Sequence, residues 1–471
     1  MRAKPAWTLA VASVASLMVA LDMLVVTTAL STIRLHLGAS VQQLEWTVNA
    51  FTLSFAVLLM TGAALGDRFG RRRLFVIGLG LFSLASAACA LAPNVGWLIA
   101  ARAVQGVGAA IVLPLALTLL TEAYPPERRA RALGLFSGVT GLAVLGGPVV
   151  GGAITQGIAW QWIFWINVPI GLITIPVVLA RVPESFGPRS APDVAGLALI
   201  SGAALGIVWG LVRGNSVGWG SAEVLSSLIA GVLLGVAFVA WERRAAEPML
   251  PMRLFASRPF SSGNAAIFFL FAALAGAVFF MAQFLQIAQH DGPLSAGLRL
   301  LPWTAALFIV APLTGSRIAR VGERPFAVAG LTLQAIGMGW IALIATRDVA
   351  YGRLVAPLMI AGAGVSMALP AIQNGVLGAV APASIGKASG TFNTIRQLGG
   401  VFGIAALVVV FTGAGGYGSP QLFSDGFTAA IWCSAGLSLL GAAAGFGLPR
   451  AQAATVSAVA RSGMRVANRA G

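Results

Sequence analysis

Asp22 is the residue from which the chemistry of this sequence has to start. It sits in an apolar run that continues to about Leu30, and it is the only acid well inside such a run. An ionised carboxylate in hydrocarbon is costly, so the side chain must face a cavity or a partner. Burial favours the neutral form of a carboxyl and a nearby cation the charged form. A carboxyl held between these influences can exchange a proton with either side of a membrane. A structural acid paired with a neighbouring helix is the plainer alternative. Arg102 is the candidate partner; it lies in the outer third of another apolar run, with Gln105 and Gly106 one turn on. An arginine that merely snorkels toward the interface is the alternative there. A further set, Gly276, Phe279, Phe280, Gln283, Gln286 and His290, recurs at helical spacing. Aromatics with neutral amides suit a lipophilic ligand that needs orientation more than charge pairing, although a packing stripe has the same signature. Met18, Asn374 and Asn393 are further candidates for such a cavity.

The elements that must position these residues are long apolar helices. Of the 471 residues, 58% are hydrophobic and 9% charged, against about 25% charged in a soluble domain. There is too little polar surface to cover a globule in water. Fourteen apolar spans lie near 7–30, 44–65, 74–92, 97–120, 132–154, 162–182, 194–213, 223–241, 260–288, 296–318, 325–346, 353–377, 388–412 and 427–448. Each is about bilayer length, and runs of this kind in lipid must be helical, whereas a transmembrane barrel needs short alternating segments. The expected fold class is an all-α integral membrane protein with 14 transmembrane helices. The first run is too long for a signal peptide and reads as an uncleaved helix.

The net charge of +16 is not a nucleic-acid footprint, because the basic residues fall in short clusters between the spans. The N-terminus, the loops after even-numbered spans and the tail together carry 23 of the 30 Lys and Arg residues; the other side carries five, and Arg102 and Arg396 lie within spans. The richer side is expected to be cytoplasmic, with both termini there. Cys89 and Cys433 fall in apolar runs and read as buried thiols. No metal-ligand spacing and no phosphate-cradling glycine loop is present, so neither a metal site nor ATP bound by this chain is expected.

The chain also repeats itself weakly. Leu65 through Arg72 after span 2, and Ile318 through Arg324 after span 10, both pass from an apolar helix into Arg-x-Gly-x-Arg. That spacing divides the chain into an N-terminal six-helix bundle (1–182), a linker with two inserted helices (183–259), a C-terminal six-helix bundle (260–449) and a basic cytoplasmic tail (450–471). Duplicated halves around a midplane site are a recurrent transporter plan.

Several stretches carry a resemblance when taken in order. They are Leu21-Asp22 through Ala29-Leu30, the loop Gly66–Arg73, Arg102 with Gln105, Gly106 and Gly108, and Gly134 with Gly147-Pro148 and Gly151-Gly152. Trp160 through Gly171 follows, with Asn167 and Pro169, and then Gly386-Lys387 with Ser389-Gly390 and Arg396-Gln397. Together they resemble the motifs of the major facilitator superfamily, in its fourteen-helix drug:proton antiporter branch, over nearly the whole chain. The departures are Ser31 for a usual proline, Ala63 for a leading glycine and Ala143 for one glycine of span 5. The resemblance implies two six-helix halves, with proton coupling at Asp22, Arg102 and Gln105. It implies a cytoplasmic gate at Asp67, Arg68, Gly70, Arg71 and Arg72, in which Asp67 holds the start of span 13 near Lys387–Ser389. It also makes Gly134, Gly147, Pro148, Gly151 and Gly152 a motif that accompanies export. Without the resemblance, Pro148 and its glycines fit either a bend or ordinary close packing, and the loop fits a plain topogenic charge cluster.

The expectation is a bacterial inner-membrane antiporter working by alternating access. It has no cofactor beyond the proton gradient, and its partners are the lipid bilayer, protons and small lipophilic compounds such as drugs, dyes or antibiotics. The scarcity of lysine beside abundant Ala, Gly and Arg points to a GC-rich bacterial genome. A proton-coupled importer and a non-transporting sensor are the alternatives; the span 5 motif opposes the first. With Asp22 as the one deep acid and Arg102 and Arg396 in spans, neutral or monocationic compounds are expected to be preferred over rigid dications.

Overall fold

Backbone amides in lipid have no water to bond, so each apolar run satisfies its own as a helix. The computed structural model describes residues 5–187, 193–245, 248–381 and 384–450, and no strand occurs among them. The helices are α1 (Pro5–Leu37), α2 (Val41–Phe69), α3 (Arg71–Ala90), α4 (Val95–Ala123), α5 (Pro126–Gly157), α6 (Trp162–Trp165) and α7 (Asn167–Arg181). They continue with α8 (Val194–Val217), α9 (Ala222–Glu242), α10 (Arg258–Ile287), α11 (Pro293–Arg299) and α12 (Leu301–Val321). The last four are α13 (Glu323–Ile344), α14 (Tyr351–Gly378), α15 (Ile385–Ala414) and α16 (Pro420–Gly445). Span 6 is broken into α6 and α7, and span 10 into α11 and α12. Among the described residues, 13 helices are long and apolar enough to cross a membrane; α12 adds the remaining crossing with 21 residues. The basic tail lies outside the described residues from 451 onward.

The helices overrun the apolar spans because their ends reach into the polar interface. At the start of α2, Ser40 accepts from the Gln43 amide and Gln43 Oε1 accepts from the Ser40 amide, a reciprocal cap. This places Glu45 inside the helix, where it is fully buried. Asp22 is therefore not the only buried acid, although Glu45 lies in the second turn of α2, near its capped end.

Helices α1–α7 pack chiefly with one another, and so do α10 and α12–α16, while α11 packs chiefly on α5 of the other half. α8 and α9 pair with each other, and α8 leans on α2 and α15. The two Arg-x-Gly-x-Arg turns are structurally equivalent. Gly70 (φ 108°) joins α2 to α3 and Gly322 (φ 90°) joins α12 to α13, a conformation that favours glycine.

The buried apolar residues divide unequally between the two ends of the bundle. At the end carrying the termini, each half has its own core. One is built on Val11, Phe55, Phe75 and Leu115 and the other on Phe260, Leu331, Ile372 and Phe392. At the opposite end a single core runs through both halves, from Val26, Ile33 and Phe164 to Phe280, Phe284 and Phe411. Backbones touch along this seam. A Cβ on Gly152 would run into the carbonyl of Pro293, and one on Gly297 into that of Pro148. The halves are joined by one core at this end, while α2 and α15 keep them in touch farther along, where Leu53 and Val57 share a smaller core with Leu398 and Val401.

Candidate functional site

Asp22 projects from α1 into the N-terminal half, where four other helices close around it. Arg102 of α4 pairs with it through Nη1 to Oδ2. Gln105, one turn along α4, donates Nε2 to Oδ1 at 2.8 Å, and Asn167, the first residue of α7, donates Nδ2 to the same oxygen at 2.9 Å. Behind them Ser86 Oγ of α3 accepts from Gln105 at 2.8 Å and from Asn167 at 3.3 Å. Arg102 also donates to Gln105 Oε1 at 2.7 Å and, through Nε, to the Thr47 carbonyl of α2 at 3.2 Å. Its guanidinium lies 4.2 Å over the Phe51 ring.

Asp22 and Arg102 are each 1% exposed, so the pair is sealed from water in this conformation and Arg102 does not snorkel. Such a pair stabilises little for its geometry, because desolvation offsets the attraction. Removing one partner is a different matter: it leaves a buried charge unpaired and costs about 3–5 kcal/mol. A change in the charge of Asp22 would therefore be felt at once on α3, α4 and α7. The sequence reading brought Asp22, Arg102 and Gln105 together correctly. It gave no site role to Asn167, seen only as part of the Trp160–Gly171 stretch, or to Ser86, whose only signal was a hydroxyl within an apolar run.

Glu45 is a second buried acid. It accepts from Asn49 Nδ2 at 3.2 Å, and among the described residues its other oxygen has no hydrogen-bond partner.

The loop between α2 and α3 is clasped within its own half. Arg71 binds Asp67 (Nη2 to Oδ1, 2.7 Å) and Glu122 at the end of α4. The linker closes over them: the Gly187 amide donates to the Asp67 carbonyl at 3.0 Å and the Arg71 amide to Ser185 O at 2.9 Å. Glu184 accepts from the Arg72 amide at 2.8 Å, placing a carboxylate at the positive end of α3. Arg72 also donates to the Val182 carbonyl at 3.3 Å, and Arg68 lies over Phe69. Among the described residues, no hydrogen bond joins Asp67 to the start of α15. The expected contact near Lys387–Ser389 is replaced by the linker, which pairs across more than a hundred residues of sequence.

Between the halves lies a cavity of about 230 Å³. Met23, Leu24 and Thr27 from α1, Pro148 from α5, Phe271 and Phe279 from α10, and Gln397 from α15 line it, together with mostly apolar neighbours. Of the residues expected in a substrate cavity, only Phe279 lines this one. Phe280 is stacked on Phe411. Gln283 accepts from the Tyr417 hydroxyl, and Gln286 donates to the Thr28 carbonyl across the seam at 2.9 Å. Met18 is buried in the N-terminal core. Asn374 lines a separate depression beside Glu323 and Pro449, and Asn393 donates to Ser389 O at 2.9 Å. Helical spacing identified the inward face of α10, but that face is filled by neighbours for most of its length.

Arg34 from the first half stacks 4.2 Å over Tyr417 from the second. Burial pushes the Tyr417 hydroxyl well above its ordinary value, against the opposing pull of Arg34 and Gln283, so it remains a donor to Gln283 at neutral pH.

The glycines of α5 have distinct duties. Gly147 and Gly151 face Leu24, Val25 and Thr28 of α1 too closely for a Cβ, and Gly152 meets α11, whereas Gly134 faces open space. Pro148 lies inside a helix that runs on past it.

A family model described as "Major Facilitator Superfamily" matches residues 12–404. The chain is 33% identical to the tetracenomycin C resistance and export protein of Streptomyces glaucescens, over 90% of this chain and 79% of that one. It is 36% identical to the cephamycin export protein CmcT of Amycolatopsis lactamdurans, over 88% of this chain and 86% of that one. Its fold matches a crystal structure of the peptide transporter POT with sulfate at a TM-score of 0.67 and 16% identity, covering 94% of this chain and 95% of that one. With two helical halves lining a cavity between them, an extra pair of helices and a family match over most of its length, this chain belongs to the Major Facilitator Superfamily.

Proposed function

We propose that this protein is a proton-driven antiporter that exports small lipophilic compounds by alternating access. The observation that carries the reading is the sealed cluster of Asp22, Arg102, Gln105 and Asn167 beside a cavity whose wall includes Met23 and Leu24. The names of the relatives, resistance and export proteins for antibiotics, support efflux over uptake. In this reading the Arg-rich end, with both termini, faces the cytoplasm. The protein sits in a bacterial inner membrane, its halves divide at 1–182 and 260–449, and the structure described is the inward-facing state. A proton arriving from outside neutralises Asp22. The carboxyl then loosens its hold on Arg102, Gln105 and Asn167, and the four helices that meet there shift against α1. Deprotonation toward the cytoplasm restores the cluster. Gly147, Gly151 and Gly152 let α5 slide on α1 and α11 with no side chain in the way, and the Asp67–Arg71–Glu122 clasp holds the cytoplasmic ends of α2, α3 and α4 as one unit. Each charge moved across 100 mV supplies about 2.3 kcal/mol.

Flux in everted vesicles tests the reading. Imposing an inward-acid gradient should drive a lipophilic dye or antibiotic into the vesicle lumen, and collapsing the gradient should stop it. Gradient-driven movement in the opposite direction would make the protein an importer.

A further inference from the structure

Among the described residues, the cavity lining contains no Asp or Glu, and Arg396 at its edge has no hydrogen-bond acceptor. Arg396 of α15 is partly exposed, and its guanidinium lies 5.1 Å over Phe271, a lining residue. Its Nε is buried with no hydrogen-bond partner. The neighbouring Gln397, which itself lines the cavity, has a buried Nε2 that is also unpartnered. Both orphaned groups are donors. Arg102, by contrast, spends its guanidinium on Asp22, Gln105 and Thr47. An unpaired guanidinium in apolar surroundings is expensive, and its planar fork matches a carboxylate in two parallel hydrogen bonds.

We propose that Arg396, with Gln397, is the anchoring site for a carboxylate on the transported compound. The substrates then include lipophilic monoanions whose apolar body fills the cavity against Phe271 and Phe279. The proposal deepens the export reading and rests on it for the direction of transport, but the site is defined by binding alone.

The test uses the full chain in lipid nanodiscs with two probes, dansyl-leucine and its methyl ester, which differ in the carboxylate. Binding is read by energy transfer from tryptophan; Trp303 lines the cavity. The acid should bind on the order of tenfold tighter than the ester, the scale of one charged hydrogen-bonded contact. R396Q should abolish that preference, R396K should retain part of it, and Q397L should weaken the acid alone. Equal affinity of acid and ester for the unaltered protein, no saturable binding of the acid, or an acid preference that survives R396Q would each overturn the proposal. If R396Q fails to fold, R396K and Q397L carry the assignment: a reduced acid preference in both supports it, and an unchanged preference in both overturns it. Binding needs no proton gradient, so a failure of driven export in vesicles would overturn the export reading and leave this result standing.

Discussion

Replacing Asp22 by Asn removes a charge from a cluster that has no slack. Asp22 accepts from Arg102, Gln105 and Asn167 while 1% exposed. An asparagine keeps one acceptor oxygen but turns an amide nitrogen toward those donors, and Arg102 is left buried without a counter-charge. The expected loss of stability is about 3–5 kcal/mol, so failed transport by D22N alone could reflect misfolding. The double variant D22N/R102Q removes both charges and leaves a neutral cluster, which should recover most of that stability. Two assays then separate the roles. Thermal unfolding in detergent should place D22N well below the unaltered protein and D22N/R102Q close to it. Proton-driven accumulation in everted vesicles should be abolished in both, while downhill movement of substrate persists in the double variant. If D22N/R102Q accumulates substrate against its gradient as well as the unaltered protein does, Asp22 is a structural acid and the coupling site lies elsewhere, with Glu45 the first place to look.

Other consequences can be checked more briefly. Gly297→Val should prop the seam open, because the added side chain meets the carbonyl of Pro148. In a variant lacking Cys89 and Cys433, a cysteine at the cavity residue Val278 should become reactive to a maleimide supplied from the outside, and unchanged reactivity would argue against closure there. Asp67→Ala should impair transport several-fold, since Arg71 keeps Glu122 but loses the carboxylate that accepts from its Nε and Nη2; full transport would reduce the loop to a topological role. A divalent quaternary ammonium compound should be exported less well than a monovalent one of similar lipophilicity, because the cavity lining has no acid. Two like charges about 6 Å apart at an effective dielectric near 20 repel by roughly 3 kcal/mol. Equal export of the two compounds would refute that count.

What the sequence made legible, and what it did not, has a physical cause. Asp22 and Arg102 were visible because charge inside a bilayer is expensive and so stands out against an apolar background. Asn167 and Ser86 complete the same cluster but carry no charge, and nothing in one dimension says that α7 and α3 meet at α1. Glu45 was passed over because it stands at the edge of its apolar span, where an acid is ordinarily solvated, and nothing in one dimension shows that neighbouring helices bury it. The fourteen crossings followed from length alone. The substrate face on α10 was misjudged because periodicity reveals which residues share a side and not what stands opposite: Phe411 opposite Phe280, Tyr417 opposite Gln283. The clasp on Asp67 was hidden in a linker that looked like a mere connection.

The single core shared by both halves at one end has a thermal consequence. If the transporter cycles, that core must split and be wetted each time the opposite orientation is reached, whereas the two separate cores at the other end stay whole. Apolar cohesion weakens on cooling, and exposing apolar surface raises the heat capacity. The balance between the two orientations should therefore drift with temperature along a curve, cold favouring the state in which the seam is parted, and the turnover rate should bend on an Eyring plot even in a membrane that stays fluid throughout.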